Sequence, residues 1–457
     1  MSARPVWVVG AGLAGAELSL QLARRGIPVR LFEMKPHRRT PAQVSDGYAE
    51  LVCSNSFRAN AIDNAVGAIK EEMRIAGSVL MQIADACAVP AGGALAVDRE
   101  RFSAEVTRVL EAEPDIEVHN REVTELPSPE EAADVVVATG PLTSPTLSES
   151  IRMAAGGAEK LYFYDAIAPI VAADSIDESV VFRASRYGKG EGADYLNCPL
   201  DAEDYARFIA DLDAAEKVTP RAFEEAKYFE GCLPIEVMAA RGPDTLRFGC
   251  MKPVGLDDPR TGRRPHAVVQ LRAENREGTA YNLVGFQTRL KWSAQKEVFR
   301  RIPGLENAEF LRFGSIHRNT YLDAPRLLDR ANRLKGVPHV RFAGQITGVE
   351  GYVESTASGL LLGLRMAAER LGIDFVEPPA ASAMGALHRH VRGEDRLERD
   401  PHVPSNVHWG MVPALPGRVP KKERKRRYGE RAVEEFGSWW RGLPLTNVCE
   451  PERAAVG

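Results

Sequence analysis

The stretch from Val6 to Glu33 constrains the fold more than any other part of the chain. Val6-Trp7-Val8-Val9 is an apolar, β-prone run that ends in Gly10-Ala11-Gly12-Leu13-Ala14-Gly15. Ala14, Leu18 and Leu22 then recur at intervals of four, the spacing of a helix face, and Gly26 is placed to stop that helix. Val29-Arg30-Leu31-Phe32 is a second β-prone run, and it delivers Glu33. Strand, Gly-rich turn, helix, strand and acid follow in the order a dinucleotide-binding unit requires. Gly10 makes the tight turn, Gly12 lets the backbone approach a pyrophosphate, and Gly15 lets helix and strand pack closely. The helix start, Leu13 and Ala14 with Ala11 before it, offers N–H groups and a positive dipole end to phosphates. Glu33 stands where a carboxylate accepts the hydroxyls of an adenosine ribose. The unit by itself serves FAD and NAD equally.

A chain of 457 residues exceeds one ordinary core, so two or three domains are expected. The net charge of −4, from 59 basic and 63 acidic residues, argues against a wholesale nucleic-acid coat but averages over regions. No apolar run approaches the roughly 18–20 residues of a membrane span, and the first strand begins too early to leave room for a signal peptide. The six cysteines, at 53, 87, 198, 232, 250 and 449, lack CxxC or CxxH spacing. That pattern fits neither a disulfide framework nor a metal site, and it fits a reducing cytoplasm.

Along the chain, the polar stretch from Met34 to Asp46 reads as a loop over the nucleotide. Ile69, Met73, Ala76, Leu80, Ile83 and Cys87 predict one helix over 66–87, with Cys87 in the core. A helix over 99–110 and short strands near 117–119 and 123–126 follow. Asp134–Gly140 reads as a buried parallel strand ending in glycine. From about 161 to 311 the texture changes to β-prone segments and turns with one helix at 202–215, the mark of an inserted domain. Nucleotide-type signals resume at Val340–Ile346, followed by a Gly-bearing helix over 355–370. With one nucleotide held from both parts of the chain, FAD becomes the better occupant, its ring end near that helix. The fold expected is α/β: a Rossmann-like FAD-binding domain (1–160, returning at 312–376), an inserted α+β domain (161–311), and a C-terminal basic, partly helical, RNA-contacting segment (377–457).

Two thiols stand out. Gly231-Cys232-Leu233-Pro234 precedes helix-like sequence, which puts Cys232 near a helix start, where the dipole favours thiolate. Cys53 lies among Ser54, Asn55 and Ser56 rather than in an apolar stripe. Near the C-terminus, Arg418, Lys421, Lys422, Arg424, Lys425, Arg426 and Arg427 face only one acid, Glu423, beside Tyr428, Ala432, Phe436 and Trp440 on one helical face. This density suits a phosphate backbone. Residues alone therefore point to a flavoenzyme acting on a polyanion.

Longer segments are more specific. They include Leu51-Val52-Cys53-Ser54-Asn55-Ser56-Phe57, Val89 to Arg99, Asp194 to Pro199, Met251 to Leu256, His317-Arg318-Asn319-Thr320-Tyr321 and Gly344 to Tyr352. With the Gly10–Glu17 turn, they closely resemble the folate- and FAD-dependent tRNA uracil-5 methyltransferase family (TrmFO), related to the GidA flavoproteins. The resemblance runs over nearly the whole chain. Phe57-Arg58-Ala59 and Asp323 depart from the family's pattern without touching a catalytic position.

The resemblance implies that 5,10-methylenetetrahydrofolate gives its one-carbon unit to C5 of the T-loop uridine of tRNA (position 54). Reduced FAD, recharged by NADH or NADPH, would supply the reducing equivalents. It implies catalytic roles for Cys53 and Cys232, because C5 of uracil is nucleophilic only after a thiolate adds to C6. Cys232 is assigned as nucleophile and Cys53 as base, with the opposite assignment the alternative. His317 and Tyr321 are weaker candidates for the folate or flavin pocket. Cofactor-binding positions are Gly10, Ala11, Gly12, Leu13, Ala14, Gly15 and Glu33. No metal, no membrane and a cytoplasmic location are expected. Two other readings are a GidA-like enzyme modifying another tRNA uridine and a non-catalytic tRNA-binding flavoprotein.

Overall fold

The computed structural model describes residues 4–157, 161–190, 192–218, 233–394 and 402–448, with backbone alone at 161–167, 316–318 and 447–448. The central sheet runs in the order Arg333–Leu334, Val337–Phe342, Val135–Val137, Val6–Val9, Val29–Glu33, Ile116–Asn120. All neighbours are parallel except the edge hairpin of Arg333–Leu334 with Val337–Phe342. Val8 sits between Leu31 and Val136, and Val340 lies opposite Val135. The inner strands Val6–Val9, Val29–Glu33 and Val135–Val137 are short runs largely buried on both faces, as a parallel sheet covered by helices requires.

The helix Leu13–Ala23 is buried along its whole length. One side meets the sheet, and the other meets the long helix Tyr352–Leu371 through small residues. A Cβ on Gly359 would lie 2.2 Å from the Ala14 carbonyl oxygen, and one on Gly363 would lie 3.0 Å from Gln21 Cβ. The two backbones touch because those side chains are absent. The late Gly-bearing segment is thus the immediate neighbour of the opening Gly-rich turn.

Two local expectations fail. The segment 66–87 is two helices, Ala65–Ile75 and Val79–Ala86, not one. Gly77 takes φ +73, a left-handed turn that periodicity cannot register, and Ser78 caps the second helix by accepting the Met81 N–H at 3.2 Å. The segment 123–126 forms no strand, and its Leu126 N–H donates to the Ser150 hydroxyl at 3.0 Å instead of to a ladder.

A second sheet, antiparallel, runs in the order Phe182–Arg183, Tyr195–Leu200, Ala267–Ala273, Ala280–Leu283, Ile170–Ala172, Phe310–Arg312. It has its own core, with Phe208, Phe286 and Phe299 fully buried. The helix Ala202–Ala214 covers it, capped by Asp201, which accepts the Glu203 and Asp204 N–H groups. The chain enters and leaves through the paired strands Leu161–Ile167 and Ser315–Tyr321. The helix Lys421–Gly442 packs against Ala65–Ile75, burying Ala432 and Phe436. The fold is α/β, with a Rossmann-like layer, a second sheet built between its strands, and a helical C-terminal part.

Candidate active site

At the carboxyl ends of the parallel strands lies a cleft, open to solvent, with ≈ 1090 Å³ of empty space including that open side. This is where open α/β sheets bind ligands. Gly10, Gly12, Leu13, Ala14 and Glu33 line one part, and Thr40, Ala42 and Gln43 of the following loop cover it. Thr139–Ser144, Gly344, Gln345, Tyr352 and Ser355 line the rest.

Local geometry explains the Gly-rich turn. Gly10 has φ +104, and a Cβ there would meet the Ala138 carbonyl oxygen at 2.7 Å. At Gly12 a Cβ would meet no described atom within 4 Å, so that direction opens into the cleft. No side chain caps the helix behind it. Ala11 and Gly15 do not line the cleft. The Ala11 N–H donates to Glu33 Oε2 at 3.0 Å, and the Lys35 N–H donates to Oε1 at 3.1 Å, so Ala11 orients the acid. A Cβ on Gly15 would sit 1.9 Å from the Gly10 carbonyl oxygen, so Gly15 closes the turn. The open Gly12 cradle and the fixed Glu33 carboxylate fit the ADP half of FAD.

At the other end, Tyr352 is the first residue of the long helix. Its hydroxyl oxygen accepts the Cys53 N–H at 2.6 Å and the Ser54 N–H at 3.1 Å. Burial, then the neighbouring Cys53, pushes the Tyr352 phenol far above its ordinary value, so it stays neutral. Asn55 is fully buried, donates to the Val97 and Ala273 carbonyls at 3.0 and 2.9 Å, and accepts from Arg272 Nε at 2.9 Å. Arg99 donates to the Leu51 carbonyl at 2.8 Å and pairs with Glu274 at 2.8 Å. The thiol loop is therefore clamped between the first domain and the end of the strand Ala267–Ala273. Arg312 donates to the Ala42 carbonyl at 3.1 Å. Burial holds its guanidinium below the ordinary range, with Tyr352 and Cys53 among the groups it senses. From sequence, Tyr352 and Arg99 stand only as the last residues of family-like segments, with no role of their own, and nothing local marks Arg272 or Arg312.

Cys232 lies outside the described residues. The helix after it is only Ile235–Ala239, with Pro234 at the cap rather than inside the first turn. So short a helix gives little dipole support to a thiolate. Its Glu236 accepts from the Thr288 hydroxyl at 2.9 Å and the Arg289 N–H at 3.0 Å, while the Ile235 N–H donates to the Gln287 carbonyl at 2.7 Å. Burial pushes Cys250 up to about 12 and Cys198 higher still, which leaves both as inert thiols. Cys87 is a core residue, 4% exposed. Tyr321 does not line the cleft, since its hydroxyl donates to the His402 carbonyl at 3.2 Å. The His317 side chain and Cys449 lie outside the described residues.

Residues 421–427 are all exposed. Arg426 pairs with Glu430 at 2.5 Å and Arg427 approaches Glu423 at 3.9 Å. Lys421, Lys422, Arg424 and Lys425 pair with no carboxylate among the described residues. Among those residues no group of His, Cys, Asp and Glu is arranged to hold a metal, and no helix is long and apolar enough to cross a membrane.

The family model described as Glucose inhibited division protein A matches residues 5–374. The chain is 58% identical over 434 residues to the methylenetetrahydrofolate–tRNA-(uracil-5-)-methyltransferase TrmFO of Geobacter sulfurreducens, covering 95% of this chain and 98% of that one. It is 56% identical over 448 residues to the protein of the same name from Myxococcus xanthus, covering 97% of each. Among solved structures, Aquifex aeolicus GidA in its form II crystal superposes with a TM-score of 0.69 at 16% identity. That match covers 98% of this chain and 75% of the other, a likeness of fold.

Proposed function

The chain belongs to the methylenetetrahydrofolate–tRNA-(uracil-5-)-methyltransferase family within the Glucose inhibited division protein A group, and from that premise we propose how its cleft carries the methyl transfer. Gly10, Gly12, Leu13, Ala14 and Glu33 hold the ADP half of FAD, with Ala11 and Gly15 shaping the turn. Val52 and Tyr352, which line the rest of the cleft beside the Cys53 loop, would border the ring half. When bound, FAD supplies in reduced form the two electrons that convert the transferred methylene to methyl and release tetrahydrofolate, and NADH or NADPH restores them.

The protein's own groups prepare the uracil. The Cys232 thiolate adds to C6 of the T-loop uridine, forming an S–C6 bond and moving electron density to C5, which attacks the one-carbon unit of methylenetetrahydrofolate. Cys53 then accepts the C5 proton, and the S–C6 bond breaks in the final elimination. The exchanged assignment of the two thiols uses the same steps. The uridine reaches the cleft by leaving the loop stack, and Lys421, Lys422, Arg424 and Lys425 hold the RNA backbone. A cytoplasmic location fits a tRNA substrate. The working division is 1–160 and 312–376 for FAD, 161–311 for the insert and 377–457 for RNA.

The observation that carries this reading is the Cys53 loop fastened to Tyr352, a residue that lines the same cleft as the dinucleotide turn. The test is purified FAD-loaded protein with unmodified tRNA, labelled methylenetetrahydrofolate and NAD(P)H. Label is expected at C5 of one T-loop uridine. No incorporation with FAD intact would falsify the reading. Label at a uridine elsewhere in the tRNA would favour a wobble-type enzyme.

A further inference from the structure

Three aromatic rings form a continuous stack at the edge of the second sheet. Phe310 and Phe313 have centroids 5.3 Å apart and planes 15° from parallel, and Phe313 and Trp292 are 5.6 Å and 16° apart. The inner end is anchored in the core, where Phe310 lies 6.5 Å from Phe299. The outer end is Trp292, 65% exposed. An ordered stack that finishes on an exposed tryptophan leaves a large, rigid apolar face in water, and a face of that kind marks a contact. One helical turn on, Lys296 places its ammonium 5.5 Å from the Phe313 ring and has no carboxylate partner among the described residues.

The stack is continuous in sequence with residues that reach the cleft and with residues that anchor the helix Ile235–Ala239. Arg312 is the residue before Phe313 and reaches the Ala42 carbonyl, at a residue that lines the cleft. On the other side, Gln287 and Arg289 hold the helix that begins just after Cys232, and the chain reaches Trp292 three residues later. The platform is therefore continuous with one segment that reaches the cleft and one that anchors the helix Ile235–Ala239.

We propose that Trp292 is a stacking platform for an RNA base next to the target uridine, with Lys296 contacting the adjacent phosphate. This rests on the reading of the chain as a tRNA methyltransferase. When the target uridine leaves the loop stack, its neighbour loses one stacking surface, and a flat exposed indole replaces it whatever the base. The unpaired cation one turn away suits a phosphate and selects RNA over an uncharged apolar partner.

The experiment measures binding of unmodified tRNA by FAD-loaded wild type, Trp292→Ala and Trp292→Phe across a salt series. Trp292→Ala is expected to weaken binding about tenfold with an unchanged salt slope, because stacking releases no counterions. Trp292→Phe should recover most of the loss. Unchanged tRNA affinity in Trp292→Ala overturns the proposal. If that unchanged affinity comes with slower folate-dependent flavin oxidation in the absence of RNA, the ring serves folate instead. If it comes with altered sedimentation, the face joins two copies of the chain. A wild type that neither binds nor methylates tRNA would instead remove the premise, so the two failures are distinguishable.

Discussion

The Tyr352 hydroxyl oxygen accepts the Cys53 N–H at 2.6 Å, joining residues 299 positions apart. The same oxygen takes the Ser54 N–H, so one phenol orders the backbone that carries the Cys53 thiol. Tyr352→Phe removes that acceptor and leaves two partly buried amides without it, each costing about 1–3 kcal/mol. Single-turnover methylation should fall about tenfold or more while FAD content stays near normal. Wild-type turnover in that variant would show that the loop is ordered by its other anchors alone.

Gly359→Ala sets a methyl group where the Ala14 carbonyl oxygen lies 2.2 Å away. The helices Leu13–Ala23 and Tyr352–Leu371 must separate, at about 1–3 kcal/mol or more. Ala14 lines the cleft, so the flavin site is disturbed with them. Lower thermal stability together with a reduced flavin-to-protein absorbance ratio is expected. Retention of both at wild-type values would contradict this close packing.

The two thiols are separated by adduct chemistry. Cys232→Ala should abolish the covalent complex with 5-fluorouridine-containing tRNA and keep FAD bound, whereas Cys53→Ala should still form it, since the base acts after addition, but should not complete methylation of uridine-containing tRNA. Trapping on denaturing gels reads both. Normal adduct in Cys232→Ala with none in Cys53→Ala would exchange the roles.

Replacing Lys421, Lys422, Arg424 and Lys425 with Gln should weaken tRNA binding and reduce the salt slope by roughly one unit for each phosphate no longer neutralised. Affinity and slope measured together distinguish this from Trp292→Ala, which changes only the first. An unchanged slope would place the RNA elsewhere.

Glu72 is fully buried and accepts the Ala383 and Met384 N–H groups, both at 2.7 Å, at the start of the helix Ala383–Val391. Burial pushes its carboxyl up to about 8, although those bonds pull the other way. The folded protein thus holds a proton that the unfolded chain releases near pH 4.5. This contribution is fully present below that pH and declines as pH rises to about 8. Denaturant melts of wild type and Glu72→Gln should show their stability difference shrinking over that window. A constant difference would mean the carboxyl ionises normally.

Much of the FAD unit was legible in sequence because its determinants are local. Gly10, Gly12 and Glu33 lie within one strand–helix–strand, where spacing fixes geometry through backbone dimensions and helical period. The exposed basic run at 421–427 was likewise readable as a one-sided helix. Local patterning failed at Gly77, where one left-handed residue splits a continuous apolar period without disturbing it.

The family-like segments around Cys53 and Tyr352 could be read from the sequence, but not that they meet. That contact exists because the chain leaves the first sheet, builds the second, and returns beside the strand Val135–Val137. Asn55 with Arg272 and Ala273, Arg99 with Glu274, and Trp292 with Phe313 are pairings of the same kind. Sequence determined the dinucleotide turn, the strand and helix periods and the charge of the C-terminal helix, each set by residues a few positions apart. Tertiary structure alone decided what surrounds the thiol loop, what clamps it and which aromatic face stays in water. Those depend on side chains brought together across hundreds of residues by the burial of two separate cores.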